Sequence, residues 1–257
     1  MSTDDARRIN DVVELLRGAQ SLLFVTGAGL SADSGLPTYR GIGGLYNDDD
    51  VESGLPIEEL LSGRHFRANP ARTWKYLAEV GKAGIGRTPN RGHKVIAEME
   101  RHFPRVWVLT QNVDGFHRAA GSQNVIDIHG DLKFLRCTAC DHQREAGDYT
   151  QLPLPPTCEK CAAVLRPNVV LFGESLPPQA VATLQREMRA GFDVVFSVGT
   201  TSVFPYIAGP VLDAHHRRKA SVEINPGDTD VSEYATVKLP MKAAVALHAI
   251  WDAYRKG

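Results

Sequence analysis

The chain is expected to fold as an α/β protein: a parallel sheet covered by helices on both faces, with a small cysteine-bearing module inserted and a helical cover segment. Three observations lead there. Short, near-continuous apolar runs recur, each ending in Gly, Asn or Thr, as strands buried on both faces of a parallel sheet do. Amphipathic stretches with helical spacing alternate with them. All four cysteines lie in two C-x-x-C pairs within one stretch that interrupts the alternation.

From the N-terminus, Ala6 to Ala19 places Ile9, Val12, Val13, Leu15 and Leu16 on one helical stripe, with Gly18 near its end. Ser21 to Thr26 (SLLFVT) is an apolar strand that runs into a glycine-rich turn. From about Gly41 to Lys82 loop signals and aromatic residues increase, which predicts a helical cover over residues 41–82. Val106 to Thr110 and Val125 to Ile128 are the next strands, then the cysteine stretch from Arg136 to Leu165. Val194 to Val198 and the weaker Ser221 to Ile224 complete the set of strands. Ala243 to Arg255 is a closing helix with Leu247, Ile250 and Trp251 on its buried side. The expected division is a sheet domain from 1–135 and 166–257 with a cysteine module at 136–165. There is no internal repeat and no low-complexity tract.

Bulk properties exclude several classes of function. A hydrophobic share of 43% and a charged share of 23% over 257 residues describe an ordinary globular chain. A formal net charge of −1 argues against binding phosphate backbones as the main activity. No run of eighteen apolar residues exists, so no membrane span is expected. Met1 to Asn10 has no apolar core, so no secretory signal is expected and cytoplasm is the expected location.

The pairs Cys137/Cys140 and Cys158/Cys161 have the C-x₂-C-x₁₅₋₂₀-C-x₂-C spacing of a tetrahedral zinc site. The segment between them, with Leu152-Pro153-Leu154-Pro155-Pro156, is short of core-forming residues, so a metal staple fits. A redox C-x-x-C would leave one pair idle, and two disulfides would need an oxidising compartment. With four thiolates used the site is closed, so zinc would hold the fold and the chemistry would lie elsewhere.

Thr26-Gly27-Ala28-Gly29-Leu30-Ser31-Ala32 follows a strand and precedes a helix, as phosphate-cradling loops do. Gly27, Gly29 and Ala32 fit G-x-G-x-x-G/A, a weak pattern that a tight strand–helix turn also satisfies. The acidic residue that an ordinary dinucleotide dehydrogenase carries about twenty positions on is missing, which disfavours that class. Tyr39 and Arg40 follow the loop: the arginine could neutralise a phosphate and the tyrosine could shield a reactive sugar carbon. Gln111, Asn112 and Asp114 end a strand and suit hydrogen bonds to a ribose and a carboxamide, although Asp114-Gly115 alone would make a turn. His129 ends another strand and has the side chain best matched to general-base work near neutral pH.

Seven stretches in order make the chain resemble the sirtuin family of NAD-dependent protein deacylases, in a bacterial-type, compact catalytic core. They are GAGLSADSGLPTYRG (Gly27 to Gly41), TQNVDGFHRAAG (Thr110 to Gly121), His129-Gly130, the two C-x-x-C pairs, RPNVVLFGE (Arg166 to Glu174), GTTSVFP (Gly199 to Pro205) and Ile224-Asn225-Pro226. The resemblance spans about Ala6 to Tyr254 and implies a Rossmann-like sheet. It implies that Gly27, Ala28, Gly29 and Ser31 line a phosphate loop. Tyr39 and Arg40 would cover the nicotinamide ribose, and Gln111, Asn112 and Asp114 would hold ribose and nicotinamide. Gly199, Thr200 and Ser202 would meet phosphates and the adenosine ribose, with Asn225 on that ribose and Lys242 or Ala243 near the adenine. His129 would be the general base, with Asn112 beside it in the catalytic centre. Val169, Val170, Phe172 and Gly173 would frame an acyl-lysine tunnel and bind segments of other proteins by strand addition.

The reaction implied consumes NAD. The acyl oxygen attacks the ribose carbon that carries nicotinamide, His129 helps deprotonate a ribose hydroxyl that attacks the acyl carbon, and water completes release of lysine and O-acyl-ADP-ribose. Two features depart from the usual pattern. Thr38 and Tyr39 stand where the family most often has Asp and Phe, which could favour NAD hydrolysis or base exchange. Members that take succinyl or malonyl groups carry Tyr-x-x-Arg where Leu77 and Val80 fall here. An apolar pocket would leave a distal carboxylate unpaired, so acetyl or other neutral acyl groups are expected. The competing readings are an NAD hydrolase or mono-ADP-ribosyltransferase on the same scaffold, a non-catalytic NAD- or ADP-ribose-binding module, and a zinc-dependent nucleic-acid binder. The last has no aromatic-basic stripe to support it.

Overall fold

The computed structural model describes residues 2–38 and 54–257. In chain order the elements are α1 (Thr3–Arg17), β1 (Ser21–Thr26), α2 (Ala28–Ala32), α3 (Ile57–Leu60), α4 (Gly63–Ala68), α5 (Pro70–Ala83), α6 (Arg91–His102), β2 (Arg105–Thr110), α7 (Phe116–Ala119), β3 (Val125–Asp127), β4 (Gly130–Cys137), β5 (Gln143–Glu145), β6 (Leu165–Val169), α8 (Pro178–Ala190), β7 (Val194–Val198), α9 (Pro205–His216), β8 (Ala220–Ile224), β9 (Val237–Leu239) and α10 (Ala243–Lys256). The first helix starts earlier than its apolar stripe because Ser2 caps it. The Ser2 hydroxyl accepts from Asp5 N and the Asp5 carboxylate accepts from Ser2 N.

Six strands form one sheet in the order β3-β2-β1-β7-β8-β9, and each neighbouring pair is parallel. The chain winds outward in one direction through β1, β2 and β3, then returns to the other side of β1 with β7. Such a reversal opens a crevice at the carboxyl ends of the two central strands, here β1 and β7. Strand periodicity divides the side chains of β1 between two cores. Leu22 and Phe24 face α1, α6 and α10, where Leu16, Ile96, Met99 and Trp251 pack. Phe24 stacks on Phe196 of β7 with ring centroids 4.6 Å apart. Leu23 and Val25 face α8 and α9, packing with Leu184, Ile207 and Val211.

A second lobe has its own core. Its sheet is β5-β4-β6, antiparallel, and runs from Gly130 to Val169, wider than the cysteine stretch itself. The described part of the cover segment is helical, as expected, and packs directly on this sheet. Leu60, Phe66, Trp74 and Leu77 share one cluster with Leu135, Leu165 and Val169. Trp74 is fully buried and its indole N–H donates to the Leu165 carbonyl at 2.8 Å. The two interruptions of the strand–helix alternation are thus one structural unit. None of the described helices is long and apolar enough to cross a membrane.

Candidate functional site

A cleft of about 760 Å³ lies between the two lobes at the carboxyl ends of the central strands. Its floor begins where β1 ends. Gly27 donates to the Val198 carbonyl at 3.0 Å and Gly29 to the Gly199 carbonyl at 2.8 Å, so the loop after β1 is zipped to the end of β7. A Cβ on Gly29 would stand 2.7 Å from the Gly199 Cα, and Gly199 itself has φ +60°. The glycines are therefore required first by backbone-to-backbone approach, and the Gly27 and Gly29 amides are already committed to carbonyls rather than open to a phosphate. Gly27, Ala28, Gly29, Gly199, Thr200, Asn225 and Ala243 all line the cleft here, as does Lys242. The carboxamide of Asn225 donates to the Thr200 carbonyl at 3.1 Å, and that of Gln111 donates to the Thr200 hydroxyl at 2.8 Å.

Gln111, Asn112 and His129 line the middle of the cleft. Asn112 is buried, and its amide donates to the Gly27 carbonyl and to Ser31 Oγ, each at 3.0 Å. The Ser31 hydroxyl in turn donates to Asp114 Oδ2 at 2.6 Å. Burial pushes the Asp114 carboxyl above its ordinary range, against the Ser31 hydroxyl and the Phe116 N–H. Burial also holds the His129 imidazole below its ordinary range, against the Gln111 carbonyl, so the ring is neutral near pH 7.

Ser31, Asp114 and Ser202, expected at the ligand, are tied by hydrogen bonds to the residues that line the cleft. Ser31 and Asp114 brace Asn112, while Ser202 is buried with φ +58° and its N–H donates to Thr200 Oγ1 at 3.1 Å. Tyr39 and Arg40 lie outside the described residues. At the other end, Leu77, Val80, Val169, Val170, Phe172 and Gly173 form an apolar wall together with Val113 and Leu132.

Four sulfurs gather in the second lobe. The Sγ atoms of Cys137, Cys140, Cys158 and Cys161 lie within 4.8 Å of one another, with three of the separations at 3.4, 3.6 and 3.7 Å. Four thiolates held about 2.3 Å from one tetrahedral zinc would stand about 3.8 Å apart. The Ala139 and Lys160 N–H groups donate to Cys137 and Cys158 at 3.4 Å each. The first of these helps pull the Cys137 thiol down to about 6. The cluster fits a single thiophilic cation.

The Sir2 family profile matches residues 27–205. This chain belongs to the Sir2 family. It is 53% identical over 245 residues to NAD-dependent protein deacylase 2 of Pseudomonas aeruginosa, covering 93% of this chain and 94% of that protein. It is 36% identical to NAD-dependent protein deacylase 1 of Archaeoglobus fulgidus, covering 95% and 97%. Among solved structures, a Sir2 homologue in complex with ADP-ribose superposes with TM-score 0.87 at 36% identity, covering 96% of each chain. A Sir2–p53 peptide–NAD⁺ complex superposes with TM-score 0.83 at 25% identity, covering 97% and 99%.

Within this Sir2-family cleft three side chains were not singled out from sequence. Tyr206 lines the cleft with its hydroxyl 2.7 Å from His129 Nε2, and Phe204 stacks on it. The GTTSVFP stretch stops one residue short of Tyr206, and an aromatic pair at the carboxyl end of a central strand was the available signal. The third is Glu174. Its carboxylate holds Arg166 in a buried fork at 2.6 and 2.9 Å and accepts from Leu171 N at 2.9 Å, so it fixes the shape of the Val169–Glu174 wall. Burial would raise this carboxyl, yet the Arg166 guanidinium holds it below the usual carboxylate range.

Proposed function

We propose that the chain is an NAD-dependent protein-lysine deacylase that removes acetyl or other neutral acyl groups and releases nicotinamide and O-acyl-ADP-ribose. One observation carries the reading. A single continuous cleft joins a glycine-lined polar end, a central neutral histidine and an apolar wall, so a dinucleotide and an acyl chain can meet at His129. The relatives named as NAD-dependent protein deacylases, and the solved Sir2 complexes with ADP-ribose and with a peptide and NAD⁺, support it.

In this reading the dinucleotide lies along Gly27, Ala28 and Gly29, Gly199 and Thr200, Asn225 and Ala243, with Tyr39 and Arg40 contributing from the segment after the loop. NAD supplies an activated ribose carbon that leaves nicotinamide behind. His129 accepts a proton at Nε2 from a ribose hydroxyl. Asn112, held by Ser31 and through it by Asp114, keeps the ribose in place. Leu77 and Val80 surround the acyl group and keep water from the activated sugar. Val169, Val170, Phe172 and Gly173 hold the substrate backbone. Phe172 exchanges backbone hydrogen bonds with Leu61 and Gly63 in the manner of a strand, which holds the wall extended, so strand addition by the substrate would use the backbone of its neighbours in the wall.

The partners are acyl-lysine segments of other proteins, not nucleic acid or membrane, and the protein acts in the cytoplasm. The four cysteines hold one structural zinc. The sheet domain carries the dinucleotide, and the cysteine module, drawn from Gly130 to Val169, is the insertion that supports the acyl end.

Mass spectrometry of the chain with NAD and one peptide in acetyl, butyryl, myristoyl and succinyl forms tests this reading, with His129→Ala alongside. Loss of neutral acyl groups with O-acyl-ADP-ribose appearing, and an inactive variant, is the expected result. Nicotinamide release with every peptide intact would replace it with NAD hydrolysis or ADP-ribose transfer.

A further inference from the structure

His129 is gripped at both ring nitrogens, and the two partners decide its state. Nδ1 lies 3.2 Å from the Gln111 carbonyl oxygen, which can only accept, so Nδ1 carries the proton of the neutral ring. Nε2 then offers a lone pair, and Tyr206 Oη at 2.7 Å donates to it. Burial pushes the Tyr206 phenol above its ordinary range, so it remains an O–H donor. The grip comes from chain distant in sequence. Phe204 caps α9, Pro205 opens it, and Tyr206 follows on its first turn. The Phe204 and Tyr206 rings stack at 11°, and both stand edge-on to His129, with centroids 5.8 and 5.9 Å away. The acidic neighbours of His129 are turned elsewhere. Asp127 pairs with Arg118 at 2.7 Å, Asp131 accepts from Lys133 N at 2.6 Å, and Asp114 accepts from Ser31 at 2.6 Å.

We propose that Tyr206 is the positioning residue of the base: its hydroxyl selects the neutral, Nδ1-protonated form of His129, fixes the ring in the cleft, and occupies the place a substrate hydroxyl takes. This rests on the reading of His129 as the base. A hydroxyl that replaces Tyr206 at Nε2 gives its proton to that nitrogen, and the substrate oxygen keeps the electron pair for attack. The imidazolium so formed keeps Nδ1–H on the Gln111 carbonyl. In the resting protein a donor to Nε2 favours the neutral ring, so removing that donor raises the pH at which His129 titrates.

Tyr206→Phe in the full chain keeps the stack and deletes only the hydroxyl. His129 followed by nuclear magnetic resonance, assigned by its loss in His129→Ala, is expected to titrate about half a unit to one unit higher in the variant. The acid limb of O-acyl-ADP-ribose formation should move up by the same amount. The plateau kcat should fall about tenfold, with KM for NAD within about twofold. Nicotinamide exchange, which precedes the proton transfer, should persist. Independently of any variant, nitrogen shifts in the unliganded protein should give the Nδ1–H tautomer. An Nε2–H tautomer, or a Phe variant whose His129 titration and acid limb both stay put, overturns the proposal. Acyl transfer that survives His129→Ala would overturn the base reading instead, while the tautomer and titration still decide the Tyr206 contact.

Discussion

Two buried histidines make the stability of the fold depend on pH. His93 has no exposure, and burial takes its imidazole down to about 4. His117, which shares a hydrogen bond of 2.9 Å with Thr26 Oγ1, is pushed well below its ordinary range by burial and then by His93, whose ring centroid is 4.9 Å away. Both are neutral in the fold, while the unfolded chain protonates them below about pH 6.5. Stability present above that pH is lost as the pH falls from about 6.5 toward 4, and His93 alone accounts for about 3 kcal/mol. Melting temperatures measured from pH 7.5 to 4.5 should therefore drop steeply, and less steeply for His93→Gln. At the acyl end, Leu77 and Val80 offer no cation, so succinyl-peptide turnover should be at least about tenfold below acetyl-peptide turnover. Equal turnover in a direct competition assay would refute an apolar acyl pocket.

At the level of elements, the second lobe joins α3, α4 and α5 to the cysteine sheet, so the cysteine cluster and the apolar wall of the cleft share one core. Zinc should be found at about one per chain. Its removal by a strong chelator, or Cys158→Ala, should lower the melting temperature and weaken acyl-peptide binding more than NAD binding, measured by calorimetry for each ligand. Trp74→Phe, which leaves the Leu165 carbonyl without its indole donor, should cost about 1–3 kcal/mol in denaturant unfolding. How much of this was legible follows from the physics of each element. Ser21–Thr26 and Val194–Val198 were readable to the residue because strands buried on both faces are continuously apolar. The union of cover and cysteine module was not, because Trp74 meets Leu165 through tertiary packing that no local period records. His129 and Asn112 were visible as polar residues at strand ends. The hydrogen bonds that tie Ser31, Asp114 and Ser202 to the cleft lining were not, since a motif identifies residue types and leaves open which way each side chain turns. Tyr206 escaped for the same reason: only the return of α9 over the cleft brings it to His129.

For the whole molecule, the cleft draws on both lobes, so ligand and fold are linked. NAD at a hundredfold excess over its Kd should stabilise the chain by about 2.7 kcal/mol, read as a rise in melting temperature. An unchanged melting temperature at saturating NAD would mean that the glycine-lined end does not hold the dinucleotide. The zipper between Gly27 and Val198, and between Gly29 and Gly199, has a temporal meaning as well. On a ribosome the Gly27 loop emerges about 170 residues before its partner carbonyls. Translation that stops short of Val198 leaves the Gly27 and Gly29 donors without those acceptors, and β1 without the neighbour that Leu22 finds in Val194. The turn that lines the cleft at Gly27 and Gly29 therefore takes its final form only after β7 has been made.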